Sequence, residues 1–134
     1  MTVTAFSQTQ GVVHMKPRDE PVIVSLRLPP TGKFVIWGKV QFFADVHPTI
    51  CTARLTTLDG ATQLDFLELI QSGLTAVSLQ CTLDVSQPNA NQVVDLRCML
   101  AEAIEGETFA GSAQFASLIA IQVDALSGPV APPS

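Results

Sequence analysis

Charge is scarce in this sequence. Asp, Glu, Lys and Arg make up 14% of its 134 residues, against about 25% in an ordinary soluble domain. The apolar share, 47%, is ordinary, so the chain is short of charge rather than rich in hydrophobic residues. A monomer of this size relies on a charged shell to stay in solution, and a chain without one is expected to cover part of its surface with further copies of itself. The 7 Lys and Arg set against 12 Asp and Glu leave a net charge of −5, so binding to a phosphate backbone would run against the field of the whole protein. Nucleic acid is therefore not expected as a partner.

Other absences narrow the reading further. No run of 18 apolar residues occurs, and the start MTVTAFSQTQ has neither the basic nor the apolar stretch of a secretory signal. The expectation is a cytoplasmic chain with no membrane partner, with a phage particle or non-classical export as the other destinations. Only two histidines are present, His14 and His47, and neither belongs to a His-x-His or His-x-x-x-Glu spacing, so one chain cannot supply three imidazoles to a metal. There is no Gly-x-Ser-x-Gly elbow, no phosphate loop and no dinucleotide fingerprint. The nearest acidic pairs, Asp65 with Glu68 and Asp19 with Glu20, read as solvated surface rather than as the carboxylates of a glycosidase. No catalytic residue, metal or cofactor is expected, and the chain is read as a non-enzyme.

Three cysteines are an odd count for a disulfide framework. Cys51 shares its alternating phase with Ala53 and Leu55, Cys81 with Val77, Leu79 and Leu83, and Cys98 with Val94, Leu96 and Leu100. All three read as buried free thiols, whose burial makes them poor nucleophiles.

What the chain does have is alternation with a period of two, in segments separated by Gly, Pro, Asn and Asp. Strands are expected over Val22 to Leu28, Lys33 to Ala44, Ile50 to Leu58, Ala76 to Val85, Val93 to Leu100 and Phe115 to Leu126, and the polar start Met1 to Gly11 is a candidate edge strand. Gln63 to Ile70 fits either a short helix, through Leu64, Leu67 and Ile70, or a strand edge, through Leu67 and Leu69. Ala101 to Ser112 reads as a solvated connection with a short strand near Thr108 to Ala110. A symmetric turn about Asn89 and Ala90 would set Val85 against Val94, Leu83 against Leu96, Cys81 against Cys98 and Leu79 against Leu100, whether in one sheet or across two. About eight strands with turn signals every 8 to 12 residues predict an all-β, two-layer antiparallel sandwich. Residues 1–126 form one domain in this reading, and residues 127–134 a Pro-rich tail.

Two strands are apolar on both faces. In KFVIWGKVQFFA, Phe34, Ile36, Gly38, Val40, Phe42 and Ala44 form a core row, yet the opposite row holds Val35, Trp37 and Phe43 beside Lys39 and Gln41. In the last strand Ser117, Ile119, Ile121 and Val123 alternate with Leu118, Ala120, Gln122 and Asp124. An apolar centre rimmed by hydrogen-bonding groups is the composition of a subunit contact.

The stretch LPPTGKFVIWGKVQFF, a proline-glycine turn into a long two-sided strand, and the closing strand FASLIAIQVDAL resemble the C1q and tumour-necrosis-factor-like jelly-roll superfamily, in particular its small bacterial members. The resemblance covers roughly Val22 to Leu126. It implies a jelly roll whose inner sheet packs around a threefold axis, with Val35, Trp37, Phe43, Leu118, Ala120 and Gln122 at the subunit interface of a homotrimer. The chain departs from the family's animal members in having no Tyr and only 6% aromatic residues, and no collagen-like stem precedes the domain, so ligand surfaces are not carried over. Polarity and turn content instead single out the loops at Asp45, His47, Asp59, Asn89 and Asn91 as candidates for a glycan or protein ligand. The expected function is a homotrimeric binding module, with a structural subunit of a phage particle or other assembly as the alternative and a cupin-like or glycan-cleaving enzyme as the third reading.

Overall fold

The computed structural model describes residues 4–57, 62–88, 92–102 and 111–125, with the side chains of residues 46–48 and 72 outside the description. Six strands follow one another: β1 (Thr4–Met15), β2 (Val22–Arg27), β3 (Gly32–Thr57), β4 (Gln63–Val85), β5 (Val93–Glu102) and β6 (Gly111–Val123). All pairings are antiparallel. β3, with its 26 residues, would span roughly 85 Å if straight, over twice the diameter of a domain this size. It therefore has to bend and serve two layers. Residues 33–44 of β3 pair with β6, residues 49–57 pair with β5, and β4 accompanies β3 through both halves. One sheet accordingly runs β1, β6, the first half of β3, the second half of β4. The other runs β2, β5, the second half of β3, the first half of β4. The fold is the two-layer antiparallel sandwich expected from the alternation, with the jelly-roll arrangement that the resemblance implies.

The bend lies between Ala44 and Thr49, where the ladder with β4 shifts register. Pro48 falls within this register shift, the kind of irregularity where a residue without an N–H is tolerated. The sequence reading took Pro48 as a strand boundary, whereas the backbone runs through it. β4 likewise absorbs Gln63 to Ile70 as strand, with a register shift between Leu55 and Thr56. The extra residue of that bulge produced the helical spacing of Leu64 and Leu67. β1 reaches Met15, beyond the expected edge strand, and β6 begins at Gly111 rather than Phe115. β2 carries a register shift between Val22 and Val24, so Ile23 and Val24 are both buried and Val22 is exposed. Residues 103–110 and 126–134, with the expected short strand and tail, lie outside the described residues.

Phe34, Ile36, Val40 and Phe42 of β3 are fully buried, as alternation predicts, and face Leu55, Leu96 and Leu100 of the other sheet within one core. Each such side chain contributes about 1.5–3 kcal/mol through burial. Gly38 lets Leu55 approach closely: a Cβ there would stand 3.0 Å from Leu55 Cδ2 and 3.4 Å from Leu118 Cδ2. The second half of β4 and β5 belong to different sheets, so Cys81 and Cys98 are not sheet neighbours, and all three cysteines are free. Burial raises each thiol. Cys81 is pushed up to about 11, with the Asp65 carboxylate adding to the effect. Cys98 is raised further by desolvation and then by Glu20 and Cys51, and the rise at Cys51 is partly offset by a hydrogen bond from Gln71.

Candidate functional site

The outer face of the first sheet follows from register. Across β1, β6, β3 and β4, successive rows are Ala5, Ile121, Val35, Thr82; Ser7, Ile119, Trp37, Gln80; Thr9, Ser117, Lys39, Ser78; Val12, Gln114, Gln41, Ala76; and His14, Ser112, Phe43, Leu74. Apolar bands around Trp37 and around Phe43 flank a polar belt at Lys39 and Gln41. Apart from Lys39, no residue in these rows is Asp, Glu, Lys or Arg. Trp37, Phe43 and Ile119 are each about two-fifths exposed (38%, 40% and 42%). The first charged pair, Lys33 opposite Asp84, lies one row beyond Val35, at the rim. The nine residues from Val35 to Phe43 along β3 and four strands across make a patch of roughly 27 by 19 Å, the scale of the centre of a standard interface.

β6 is phased differently from the sequence expectation. Leu118 and Ala120 are fully buried inside their own protomer, so neither is available to a neighbouring copy. The cause is pairing: Leu118 lies opposite Gly38 and Ala120 opposite Ile36, and residues opposite each other in a sheet share a face. Gln122 pairs with Phe34 and directs its Nε2 to the space beside Gly32, 2.7 Å from where a Cβ would sit there. The outward row is instead Ser117, Ile119, Ile121 and Val123. Between β3 and β6 the register shifts after Lys39, and Phe115 sits in this irregularity at φ 50°, a conformation bulky residues seldom adopt. Its ring is exposed beside a groove lined by Thr9, Gln10, Gly11, Ala116 and Ser117. Val35, Trp37 and Phe43 face outward as expected; Ile119 and Phe115 were missed, because both rows of β6 are apolar and only the pairing separates them.

The second sheet is chemically different. Its outer face carries Arg27, Arg54, Glu68, Asp95 and Arg97. Arg54 and Arg97 lie side by side across the ladder, and each has its own acid. Arg54 donates through Nε (3.0 Å) and Nη2 to the two oxygens of Glu20. Asp95 accepts from Ser25 Oγ at 2.6 Å and from Arg97 Nη2 at 3.4 Å. Arg18 pairs with Glu102 at 2.8 Å.

These contacts also account for the acidic pairs. Glu20 is the counter-ion of Arg54, and Asp65 accepts from the backbone N–H groups of Phe66 and Gln80, at 2.8 and 2.9 Å. Among the described residues no group of three His, Cys, Asp or Glu side chains is arranged to hold a metal. Of the candidate ligand loops, Asp45 is exposed at the bend of β3. The side chain of His47, and Asp59, Asn89 and Asn91, lie outside the described residues.

No protein-family model matches the chain, and no curated protein matches it in sequence. Solved structures do match in fold. The infectious bursal disease virus Gx strain structure superposes with a TM-score of 0.63 at 10% identity over 90% of this chain, which spans 32% of that one. The Eiger TNF of S. frugiperda superposes with a TM-score of 0.50 at 9% identity, covering 98% of this chain and 99% of that one. Murine APRIL gives 0.50 at 12% identity, covering 84% and 99%. The chain is thus about a third of the length of the viral protein and matches the TNF-type proteins nearly end to end. At these identities the likeness is one of fold: a jelly roll of the kind found in TNF-like and viral capsid proteins.

Proposed function

We propose that this chain is a non-enzymatic, self-associating jelly-roll module that forms a homotrimer and presents its loops to a glycan or protein ligand. The observation that carries the proposal is the outer face of the first sheet, which bears one cation and no acid across five rows, while the other charges among the described residues gather on the second sheet and at the rims. Water gains little from such a face, and sister copies gain much by covering it. The family resemblance supplies the threefold arrangement. Binding would then be multivalent, with weak sites on a rigid scaffold gaining effective concentration without new contacts. Gel filtration with light scattering tests this: a discrete species of three chains, stable as concentration rises, supports it, and a monomer at all concentrations contradicts it.

A second reading has its own support. The capsid-type match has the higher TM-score, 0.63, and in a structural subunit the same face would build a particle with no ligand recognised. Growth into larger bodies with concentration favours that reading.

A further inference from the structure

We propose that the groove between β1 and β6 beside Phe115 is a glycan subsite for an acidic pyranose, a hexuronate, whose ring stacks on Phe115 and whose carboxylate meets the Lys39 ammonium. This deepens the glycan side of the binding-module reading and rests on it, but not on the number of copies that assemble. The groove exists because of two residues that face each other. The ladder pairs Gln10 with Ala116 and Val12 with Gln114, so Gly11 stands opposite Phe115. Gly11 leaves the space empty: a Cβ built there would meet nothing within 4 Å. Phe115 is 62% exposed, its ring held outward by a backbone at φ 50° that a bulky residue adopts only where its surroundings impose it. Between them lies about 330 Å³ of open space, walled by Thr9, Gln10, Ala116 and Ser117, at the lower end of the size range of small-molecule sites.

The chemistry of the walls selects the ligand. Phe115 and Ala116 offer an apolar surface, and Thr9, Gln10 and Ser117 edge it with hydroxyl and amide groups that make no side-chain hydrogen bond among the described residues. Gln114, one residue outside the groove, is by contrast engaged, donating from Nε2 to Ser112 Oγ at 2.9 Å. An apolar surface rimmed by free donors and acceptors matches a pyranose, which carries C–H groups on its faces and hydroxyls round its edge. A wholly apolar ligand would strip water from that rim and return nothing. Charge then narrows the class. Lys39 lies opposite Ser117 in the ladder, one strand spacing or about 4.8 Å from the groove wall, and makes no ion pair among the described residues. It is the lone charge of these rows, so the local field favours a single anionic substituent although the chain as a whole carries −5. A carboxylate on the sugar ring supplies it, whereas a ligand bearing many anionic groups would meet the field of the whole molecule.

The test is titration of the full chain with sodium D-glucuronate, D-glucose and sodium acetate, read by saturation-transfer-difference NMR at low and high salt. Glucuronate is expected to bind in the millimolar range, about two- to fivefold tighter than glucose, the effect of one exposed charge pair, with the difference lost at high salt. Acetate, which has the charge without the ring, should not saturate. Lys39→Gln should bring glucuronate to the level of glucose. Gly11→Val fills the space and Phe115→Gly removes the ring, and each should abolish binding of both sugars. Glycine suits the positive φ at position 115, so Phe115→Gly should melt no lower than wild type, which separates loss of the site from loss of the fold. No saturable glucuronate signal, or acetate binding as tightly as glucuronate, overturns the proposal. Glucuronate binding that survives both Gly11→Val and Phe115→Gly also overturns it, while leaving a glycan-binding module standing with its site elsewhere. Light scattering on the same samples reports self-association separately.

Discussion

Leu118 and Ile119 are neighbours in sequence with opposite roles. Leu118 packs under Gly38 in the core, and truncating it to Ala should cost about 2–5 kcal/mol in denaturant unfolding. Ile119→Glu adds a charge on the outer face, so it should change the unfolding of the single chain by no more than about 0.5 kcal/mol while abolishing association. If instead Ile119→Glu unfolds the protein and Leu118→Ala does not, the phase of β6 is reversed. Gly38→Ala places a methyl against Leu55 and Leu118 and should cost about 1–3 kcal/mol through overpacking, again measured in denaturant. The thiols carry a pH prediction. Cys81 is raised from 9.0 to about 11 in the fold, by burial first and Asp65 second. Between these values the unfolded chain gives up its proton and the folded chain keeps it, so the stability present below pH 9 falls as pH rises from 9 to 11. Urea midpoints at pH 8 and 10.5 should differ in that sense, and less so in Cys81→Ala; equal slopes in both proteins would count against a desolvated thiol.

At the scale of elements, alternation reveals a face only where the two rows differ. The core row of β3 was legible because Phe34, Ile36, Val40 and Phe42 stand in one unbroken phase. β6 was not, since Leu118 and Ile119 are equally apolar and its phase is fixed by pairing with β3 across a register shift. The first half of β4 was ambiguous for a related reason: the bulge opposite Leu55 adds one residue and mimics a helical repeat. That β3 and β4 each cross both sheets could not be read from composition, because Pro48 normally ends a strand and here falls within a register shift. The groove beside Phe115 is likewise a property of pairing, invisible until β1 is seen to set Gly11 opposite that ring. The connection between β1 and β2 is held by Glu20 on Arg54, part-buried, and Glu20→Gln should destabilise the chain by about 1.5–3 kcal/mol, the usual range for a charged hydrogen bond. Thermal unfolding would show it, and an unchanged midpoint would mean that the fork contributes nothing.

For the whole molecule, the decisive property is the unequal distribution of charge between two sheets of one sandwich. The charge deficit was visible in the composition, but its concentration on one face was not, since it depends on which strands lie side by side. That asymmetry is the observation on which the proposed self-association rests, whether the assembly is a closed trimer or a larger particle. Light scattering on the wild-type chain at low and high concentration tests it most directly. The account predicts a mass at least three times the 14.3 kDa of one chain, reduced to a single chain by Trp37→Glu with the fold intact. A wild-type mass of one chain throughout the series would contradict it.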